Sequence, residues 1–419
     1  MFDLEGNYIS DAITGAMAWC PITSLDYANE AYEWNLGQYT EEGSRAEGSF
    51  TAALSEDLAQ CYAAYVNTLG LTDEDGNLLL LEASEEGIYA AGTYYDYLVG
   101  VVEESLNHFL EDTEFPYTAK SGEFHADGGF AGGGKSQFNG MGPGNGNEEQ
   151  PQFNGIGPEN GDREMSLRGA DGMTMKGGVM LMERSMEGGM PAGSGMMMGQ
   201  SGMGAGETGV TYETPQDYID YLNQDEVWVL YDEAAGTVKI TGMKAFVTYC
   251  KKASKDVGAF DDLQKSQAEN MVFGNDESDA AHWDSIMSWL MAEHAEEYAS
   301  LDGWDESVAA DYAADMNILD AMGKDLTTRQ NMYNPMYYVS KAYEGYGTSR
   351  VAAHWRIHTG IEQGDTALTV ETNLALALQG CTDVESLEFE TVWGQGHTMA
   401  ERTGESTENF INWVNECCQ

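Results

Sequence analysis

Basic residues are scarce in this sequence, and their scarcity excludes several kinds of partner. The 419 residues include 19 lysines and arginines against 71 aspartates and glutamates, which gives a formal net charge of −52 at pH 7. A surface of that sign repels nucleic-acid phosphates and anionic membranes. Because the carboxylates are spread along the whole chain, they indicate a solvated acidic surface. We therefore expect no nucleic-acid partner.

Closely spaced cysteine pairs are missing as well. No two of the six cysteines form a C-x-x-C motif, so the sequence indicates neither a zinc site nor a redox centre. Cys417 and Cys418 are adjacent and could be exposed thiols or disulfide partners, which leaves the redox compartment open. We expect neither a metal ion nor a cofactor.

The first residues, "MFDLEGNYISDAITG", have no basic segment and no long apolar run. They predict neither a signal peptide nor a membrane span. An apolar, strand-like run, "AITGAMAWCPI" at residues 12–22, follows almost at once. The chain thus reads as if it began in the middle of a sheet.

Residues 121–209 lack tryptophan and are dominated by glycine and methionine. They contain a near-repeat, "QFNGMGPGNG" and "QFNGIGPENG". Such a composition buries too little apolar surface to offset the entropy of ordering the chain. It predicts a disordered insertion.

Elsewhere the periodicity predicts ordered elements. Apolar residues at helical spacing predict a helix over Phe50–Leu69 with Gly70 at its C-terminal cap, and a second helical stretch follows in the aromatic-rich "GIYAAGTYYDYLVGVVEESLNHFLED". "VWVLYDEAAGTVKI" predicts two strands, and mostly helical segments are expected over residues 243–322. The tail "VAAHWRIHTG", "TALTVETNLALALQG", "SLEFETVWG", "STENFINWVNECC" alternates strand, helix, strand, helix, which is typical of a parallel sheet with ligands at the carboxyl ends of its strands.

Ionisable residues follow both predicted tail strands. "IEQGDTAL" contains Glu362 and Asp365, and the glycine-flanked "GQGHTMAE" contains His397. In α/β-hydrolases the acid follows one strand and the histidine the next. This placement predicts that His397 accepts a proton from a serine and that Asp365 orients its imidazole. The alternatives are that Asp365 only caps the following helix and that His397 is an ordinary surface residue.

These segments, with "AWCPITSLDYANEAYEWN" near the start and "KDVGAFDDLQKSQAENMVFG" in the middle, resemble bacterial tannases and related feruloyl-esterase-like α/β-hydrolases. The resemblance runs from about residue 11 to residue 413, apart from the insertion. It implies hydrolysis of gallate or other phenolic esters, with a lid domain whose lysine and glutamate contact the phenolic hydroxyls. The matching residues are Lys255 and Glu269; without the resemblance, an exposed ion pair on a helical surface would be the simpler interpretation.

The chain departs from that family in two ways. It contains no G-x-S-x-G, the motif of a strained turn that presents the nucleophilic serine. Many members also carry two acids as D-x-D, whereas this chain has Gln363, Gly364 and Asp365, so Glu362 is a second candidate for the triad acid. The resemblance places the missing elbow, and any export signal, upstream of Met1.

We therefore predict the C-terminal part of an α/β-hydrolase with a large, mostly helical lid. Its parts are core at 1–40, lid at 41–120, the disordered insertion at 121–209, a lid and substrate-binding domain at 210–335, and core at 336–419. The intact protein would be a serine esterase acting on galloyl or other small esters, and this chain alone would be inactive. The alternatives are a non-catalytic phenolic-binding or surface protein and, with less support, a peptidase of the same fold; the ester, compartment and oligomeric state stay open.

Overall fold

The computed structural model describes residues 12–119, 209–274 and 279–418. The chain divides into two units, one formed by residues 1–131 and 207–419 and the other by residues 132–206. All described residues belong to the first unit. The predicted insertion at 121–209 lies outside them except for Gly209.

The elements are numbered in chain order. The strands are β1 (Gly15–Trp19), β2 (Tyr117–Thr118), β3 (Thr211–Tyr212), β4 (Val229–Asp232), β5 (Thr237–Ile240), β6 (His354–Gly360) and β7 (Ser386–Val392). The first helices are α1 (Ala28–Asn35), α2 (Phe50–Leu69), α3 (Thr93–Asp112), α4 (Pro215–Leu222), α5 (Met243–Tyr249) and α6 (Ala268–Phe273). The later ones are α7 (Ser285–Glu293), α8 (Ala295–Tyr298), α9 (Glu306–Asp315), α10 (Leu326–Tyr333), α11 (Pro335–Val339), α12 (Leu368–Gln379) and α13 (Ser406–Cys417).

A parallel sheet of order β1-β6-β7 carries the predicted site. β6 pairs in parallel with β1 on one side and with β7 on the other. The prediction of a parallel sheet in the tail is confirmed, and the run at 12–22 supplies its first strand. The carboxyl ends of all three strands meet at one edge, as parallel pairing requires.

The two faces of this sheet differ in chemistry. One face carries Ile357 and Phe389 and is covered by α12, whose residues 368–378 are all buried. The other face carries Arg356, His358 and Glu388, with α13 packed along β1 through Trp413. The sheet is therefore apolar on one side and charged on the other.

Helix α2 has the bounds that the periodicity predicts. Ser49 accepts a hydrogen bond from the backbone N–H of Ala52 at the N-terminus, and Gly70 ends the helix with a left-handed φ of 62°. Its buried face packs on α1, all of whose residues are buried. Helix α1 also contacts α12, the helix that covers the sheet.

Residues 243–322 are less helical than their composition predicts. An irregular stretch separates α5 from α6, and the segment "WDSIMSWLMAEHAEEYASL" breaks at His294 into α7 and α8. After the break, Tyr298 is fully buried and its hydroxyl donates to Asp57 at 2.5 Å. Tertiary packing thus overrides the helical periodicity here. No helix of the described part of the chain is both long enough and apolar enough to cross a membrane.

Candidate active site

Two loops meet at the carboxyl edge of the sheet. The acid loop, residues 361–367, follows β6, and the histidine loop, residues 393–401, follows β7. They approach closely because β6 ends in Gly360: a Cβ there would lie 2.0 Å from the carbonyl oxygen of Gly396. Gly394, the second residue of the histidine loop, has a φ of +75°, a conformation that favours glycine.

The histidine loop is fixed at both ends and exposed in the middle. Trp393 and Glu401 are buried, whereas residues 396–399 are exposed. Arg356 holds Glu401 through two hydrogen bonds of 2.7 Å, and the Gln395 side chain donates to the carbonyl of Glu401 at 2.8 Å. His397 therefore stands near the tip of an arc whose ends are anchored in the core.

The acid loop is shaped by a buried glutamine. The Gln363 side-chain oxygen accepts hydrogen bonds of 2.9 Å from the backbone N–H groups of Asp365 and Thr366. This tight turn directs the Asp365 carboxylate toward His397, and Oδ2 lies 3.5 Å from Nδ1. Asp365 does not cap the next helix, because α12 has Ala367 at its N-cap.

The contact between Asp365 and His397 is half-exposed and longer than a strong hydrogen bond. The two side chains are 48% and 52% exposed. Contact through Nδ1 leaves Nε2 of the imidazole for another group, which is the arrangement that a histidine base requires. In unliganded enzymes such contacts are often long and shorten when substrate binds.

Glu362, the second candidate acid, has a different role in the structure. Its Oε1 accepts a 2.9 Å hydrogen bond from the backbone N–H of Gly394, and its own N–H donates to the carbonyl of Gln395 at 3.1 Å. Glu362 thus ties the acid loop to the start of the histidine loop.

A third segment, the lysine loop at residues 251–257, lies against the acid loop. Tyr32 joins them, because its hydroxyl donates to the carbonyl of Gly364 at 2.7 Å and accepts from the N–H groups of Ser254 and Lys255. The Ser254 hydroxyl also donates to the Gly364 carbonyl at 2.7 Å. The structure therefore brings the lysine loop next to Asp365.

Lys255 and Glu269 are both partly buried, and Lys255 Nζ lies 4.1 Å from the centre of the Phe260 ring. Burial lowers the pKa of Lys255, and the nearby carboxylates of Glu269 and Asp365 oppose that shift. The four candidate residues thus form one neighbourhood, with Lys255 close enough to sense both Glu269 and Asp365.

Three residues of the neighbourhood escaped the sequence analysis: Cys20, Lys251 and Glu371. Cys20 follows β1 with a φ of 44°, and its buried thiol donates to the carbonyl of Thr398 at 3.5 Å. Because the thiol is buried, it supports the histidine loop and does not present a nucleophile to solvent. A cysteine between a strand and a proline was the only sequence signal for it; nothing marked Lys251 or Glu371.

The described residues supply no group of three or more His, Cys, Asp or Glu side chains that could hold a metal ion. They also show β1 paired on one side only, with β6. The free side of β1 ends beside Cys20 and hence beside the histidine loop. A further parallel strand on that side would bring its own terminal turn to this site.

Solved structures of bacterial tannases resemble this fold. The chain matches a Fusobacterium nucleatum tannase (19% identity, TM-score 0.51) over 99% of its own residues and 61% of that structure. It matches the Lactobacillus plantarum tannin acyl hydrolase (17%, TM-score 0.51) over 99% and 59%, and a tannin acyl hydrolase in complex with ethyl gallate (17%, TM-score 0.51) over the same shares. Neither a protein-family model nor a curated protein matches the sequence.

These likenesses confirm the predicted resemblance at the level of the fold: the chain has the fold of bacterial tannase structures. It spans about three fifths of the length of those structures, 59% and 61%.

Proposed function

We propose that this chain is the C-terminal part of a tannase-like serine esterase, with His397 as the general base and Asp365 as the acid that orients it. The observation that carries this proposal is the 3.5 Å approach of Asp365 Oδ2 to Nδ1 of His397 at the ends of adjacent parallel strands. In the reaction, Nε2 takes the proton of a serine hydroxyl as the serine attacks the ester carbonyl. It then protonates the leaving alcohol, and water releases the acid from the acyl-enzyme.

The substrate that we propose is a phenolic ester, with Lys255 and Glu269 holding the ring hydroxyls. An ammonium donates hydrogen bonds and a carboxylate accepts them, so the two can fix a polyhydroxylated ring between them. The position of Lys255 over Phe260 supports this role, as does the effect of Glu269 and Asp365, whose charges act to raise the pKa of Lys255. A tannin acyl hydrolase of this fold is known in complex with ethyl gallate.

Residues 1–40 and 336–419 would form the hydrolase core, and residues 41–120 and 210–335 the helical lid with its substrate-binding part. The parallel sheet supports this division, because β1 belongs to the first segment and both β6 and β7 to the last. The lysine loop and Glu269 fall in the second lid segment.

The nucleophile would come from outside this chain, on a strand paired in parallel with the free side of β1. The absence of G-x-S-x-G from the sequence and the smaller length of the chain relative to the tannase structures support this placement. An in-frame glycine-flanked serine between a strand and a helix, encoded upstream of Met1, is the direct genetic test.

The experiment that tests the function separates turnover from binding. We expect the purified chain to hydrolyse ethyl gallate no faster than buffer, because a triad without its nucleophile retains little catalysis. Turnover that is abolished by His397→Ala would contradict the external nucleophile.

Calorimetry with gallate tests the ring site, which we define as Lys255 and Glu269. The same site would bind the ligand in the second candidate function, a non-catalytic phenolic-binding protein. We expect Lys255→Ala and Glu269→Ala each to weaken binding at least about tenfold, as the loss of a partly buried charged hydrogen bond does. Lys252→Ala, which alters an exposed lysine of the same loop, is the control and should bind as the unaltered chain does. Equal binding by all variants would reject the ring site.

A further inference from the structure

Glu371 is a buried carboxyl at the start of α12, directly beneath the acid loop. Its side chain has no exposure to solvent, and no residue of the described ranges forms a hydrogen bond with one of its oxygens, Oε2. Burying such a group is unfavourable unless neighbouring groups compensate it. The contacts of its other oxygen connect it to both loops of the candidate site.

The first connection leads to Asp365. Thr366 donates its hydroxyl hydrogen to Glu371 Oε1 at 3.0 Å and accepts a hydrogen bond from the Gln363 side-chain amide. Because the Gln363 amide nitrogen, Nε2, donates to Thr366, its oxygen, Oε1, faces the backbone N–H of Asp365 and accepts a hydrogen bond from it. Glu371 thus fixes the glutamine that shapes the turn bearing Asp365.

The second connection leads to the histidine loop. The Thr359 hydroxyl lies 3.5 Å from Glu371 Oε1 and 3.5 Å from Sγ of Cys20. The Cys20 thiol in turn donates to the carbonyl of Thr398, the residue after His397. Glu371 Oε1 therefore contacts both Thr366, which supports the acid loop, and Thr359, which lies against the Cys20 thiol below the histidine loop.

A buried cation accompanies this carboxyl. Lys251 is 1% exposed, and its Nζ finds no hydrogen-bond partner in the part of the chain that the structure describes. Burial lowers its pKa to about 8, and Glu371 is the carboxylate that most opposes this shift, with Asp365 and Glu362 contributing less. The ammonium thus lies beneath the acid loop, within the field of its carboxylates.

We propose that Glu371 is a positioning residue, which holds Asp365 and His397 in register through the hydrogen bonds of Thr366 and Gln363 on one side and, on the other, through its contact with the Thr359 hydroxyl, which also lies against the Cys20 thiol. Glu371 does not touch the reacting atoms. The inference rests on the proposed function for the roles of Asp365 and His397, but its geometry is independent of which ester is bound.

The tautomer of His397 reports this positioning without any need for turnover. If the Asp365 carboxylate accepts a hydrogen bond from Nδ1–H, it favours the neutral tautomer of His397 that carries the proton on Nδ1. Without that carboxylate, this tautomer is not favoured. The ratio can be read from the ¹⁵N shifts of His397 in the ¹⁵N-histidine-labelled full chain at alkaline pH. Asp365→Ala gives the value for a ring without its acid.

We expect Thr366→Val and Glu371→Leu to reduce the Nδ1-protonated fraction at least about twofold, toward the Asp365→Ala value. Glu371→Gln keeps an oxygen acceptor for Thr366 and should restore most of that fraction. Glu30→Leu is the matched control, because it removes a fully buried carboxyl of α1 to whose oxygens none of the described residues donates a hydrogen bond, and it should leave the His397 signals unchanged.

Two different negative results distinguish the proposals. If Asp365→Ala shifts the tautomer ratio and Thr366→Val does not, the positioning role of Glu371 is wrong, and the pairing of Asp365 with His397 is retained. If Asp365→Ala leaves the ratio unchanged, the pairing of Asp365 with His397 is wrong, and the positioning role falls with it. Thr366→Val is nearly isosteric, so the test remains decisive even if Glu371→Leu fails to fold.

Discussion

Two contacts between a histidine and an aspartate, one between residues 261 and 282 and one at the sheet edge, look alike in composition and differ in environment. His282 Nδ1 lies 2.7 Å from Asp261 Oδ1, with side chains 1% and 0% exposed. His397 Nδ1 lies 3.5 Å from Asp365 Oδ2, with both side chains about half exposed, 52% and 48%. The tighter pair is enclosed by the fold, whereas the looser pair is open to solvent.

The hydrogen bonding of Asp261 explains why its pair is structural. Besides His282, it accepts from the Asn270 side chain at 2.6 Å and from the backbone N–H groups of Trp283 and Asp284 at 2.7 Å. The His282 ring stacks on Tyr312, with centroids 3.5 Å apart. Both oxygens of Asp261 are thus occupied by the fold, whereas Asp365 and His397 keep surface available for a ligand.

Asp261→Asn should produce the largest effect on stability. The amide NH2 of the asparagine would face backbone N–H groups in the interior, and two donors cannot form a hydrogen bond with each other. We therefore expect a loss of about 3–5 kcal/mol in the free energy of unfolding, the range for removing one partner of a buried charged pair. Urea denaturation measures it. The matched change Asp365→Asn should lower the free energy of unfolding by less than about 1 kcal/mol, because half-exposed pairs contribute little to stability. Equal losses in the two variants would show that the two pairs do not differ in their contribution to stability.

The pH dependence of the free energy of unfolding should reveal the buried carboxyl of Glu371, which lies beneath the exposed pair of Asp365 and His397. Burial raises the pKa of Glu371 from 4.5 to about 7. Its contribution to stability is full below pH 4.5, where folded and unfolded chains are both protonated, and is lost as the pH rises through about 7, because only the unfolded chain ionises readily. Glu371→Gln should therefore make the decline between those pH values shallower, by at most about 3 kcal/mol.

Asp26 and Asp284, whose pKa values burial raises to about 6, act in the same direction and remain in the variant. The measurement is the free energy of unfolding against pH for both chains. Parallel curves would show that Glu371 titrates like an exposed glutamate and that no buried carboxyl lies beneath the acid loop.

Gly360→Ala should have a smaller effect, confined to the contact between the two loops. Its Cβ would lie 2.0 Å from the carbonyl oxygen of Gly396, so the histidine loop must move, and we expect a loss of about 1–3 kcal/mol. Gly380→Ala is the control, since its Cβ would be 3.5 Å from the nearest atom and its φ is −81°. Thermal or urea denaturation that ranks the two equally would argue against close packing of the loops.

The sequence predicted the elements that have strong local signals. The bounds of α2 followed from its apolar spacing and Gly70, and the parallel sheet followed from the alternation in the tail. The placement of His397 and Asp365 on successive strand ends was predicted for the same reason. Residues 243–322 were predicted less well, because the irregular lysine loop and the break at His294 depend on contacts with Tyr32 and Asp57 that lie far away in the chain.

The sequence by itself determined the sign of the surface charge, the order of strands and helices in the tail, and which loops carry an acid and a histidine. These properties depend on composition and on local periodicity. Only the tertiary structure decided that Asp365 contacts His397 and does not cap α12, and that Glu362 binds the backbone of Gly394. It also decided that Glu371 and Lys251 are buried. The reason is physical: burial and hydrogen bonding between residues distant in the chain depend on how β1, β6 and α12 pack together, which no local pattern records.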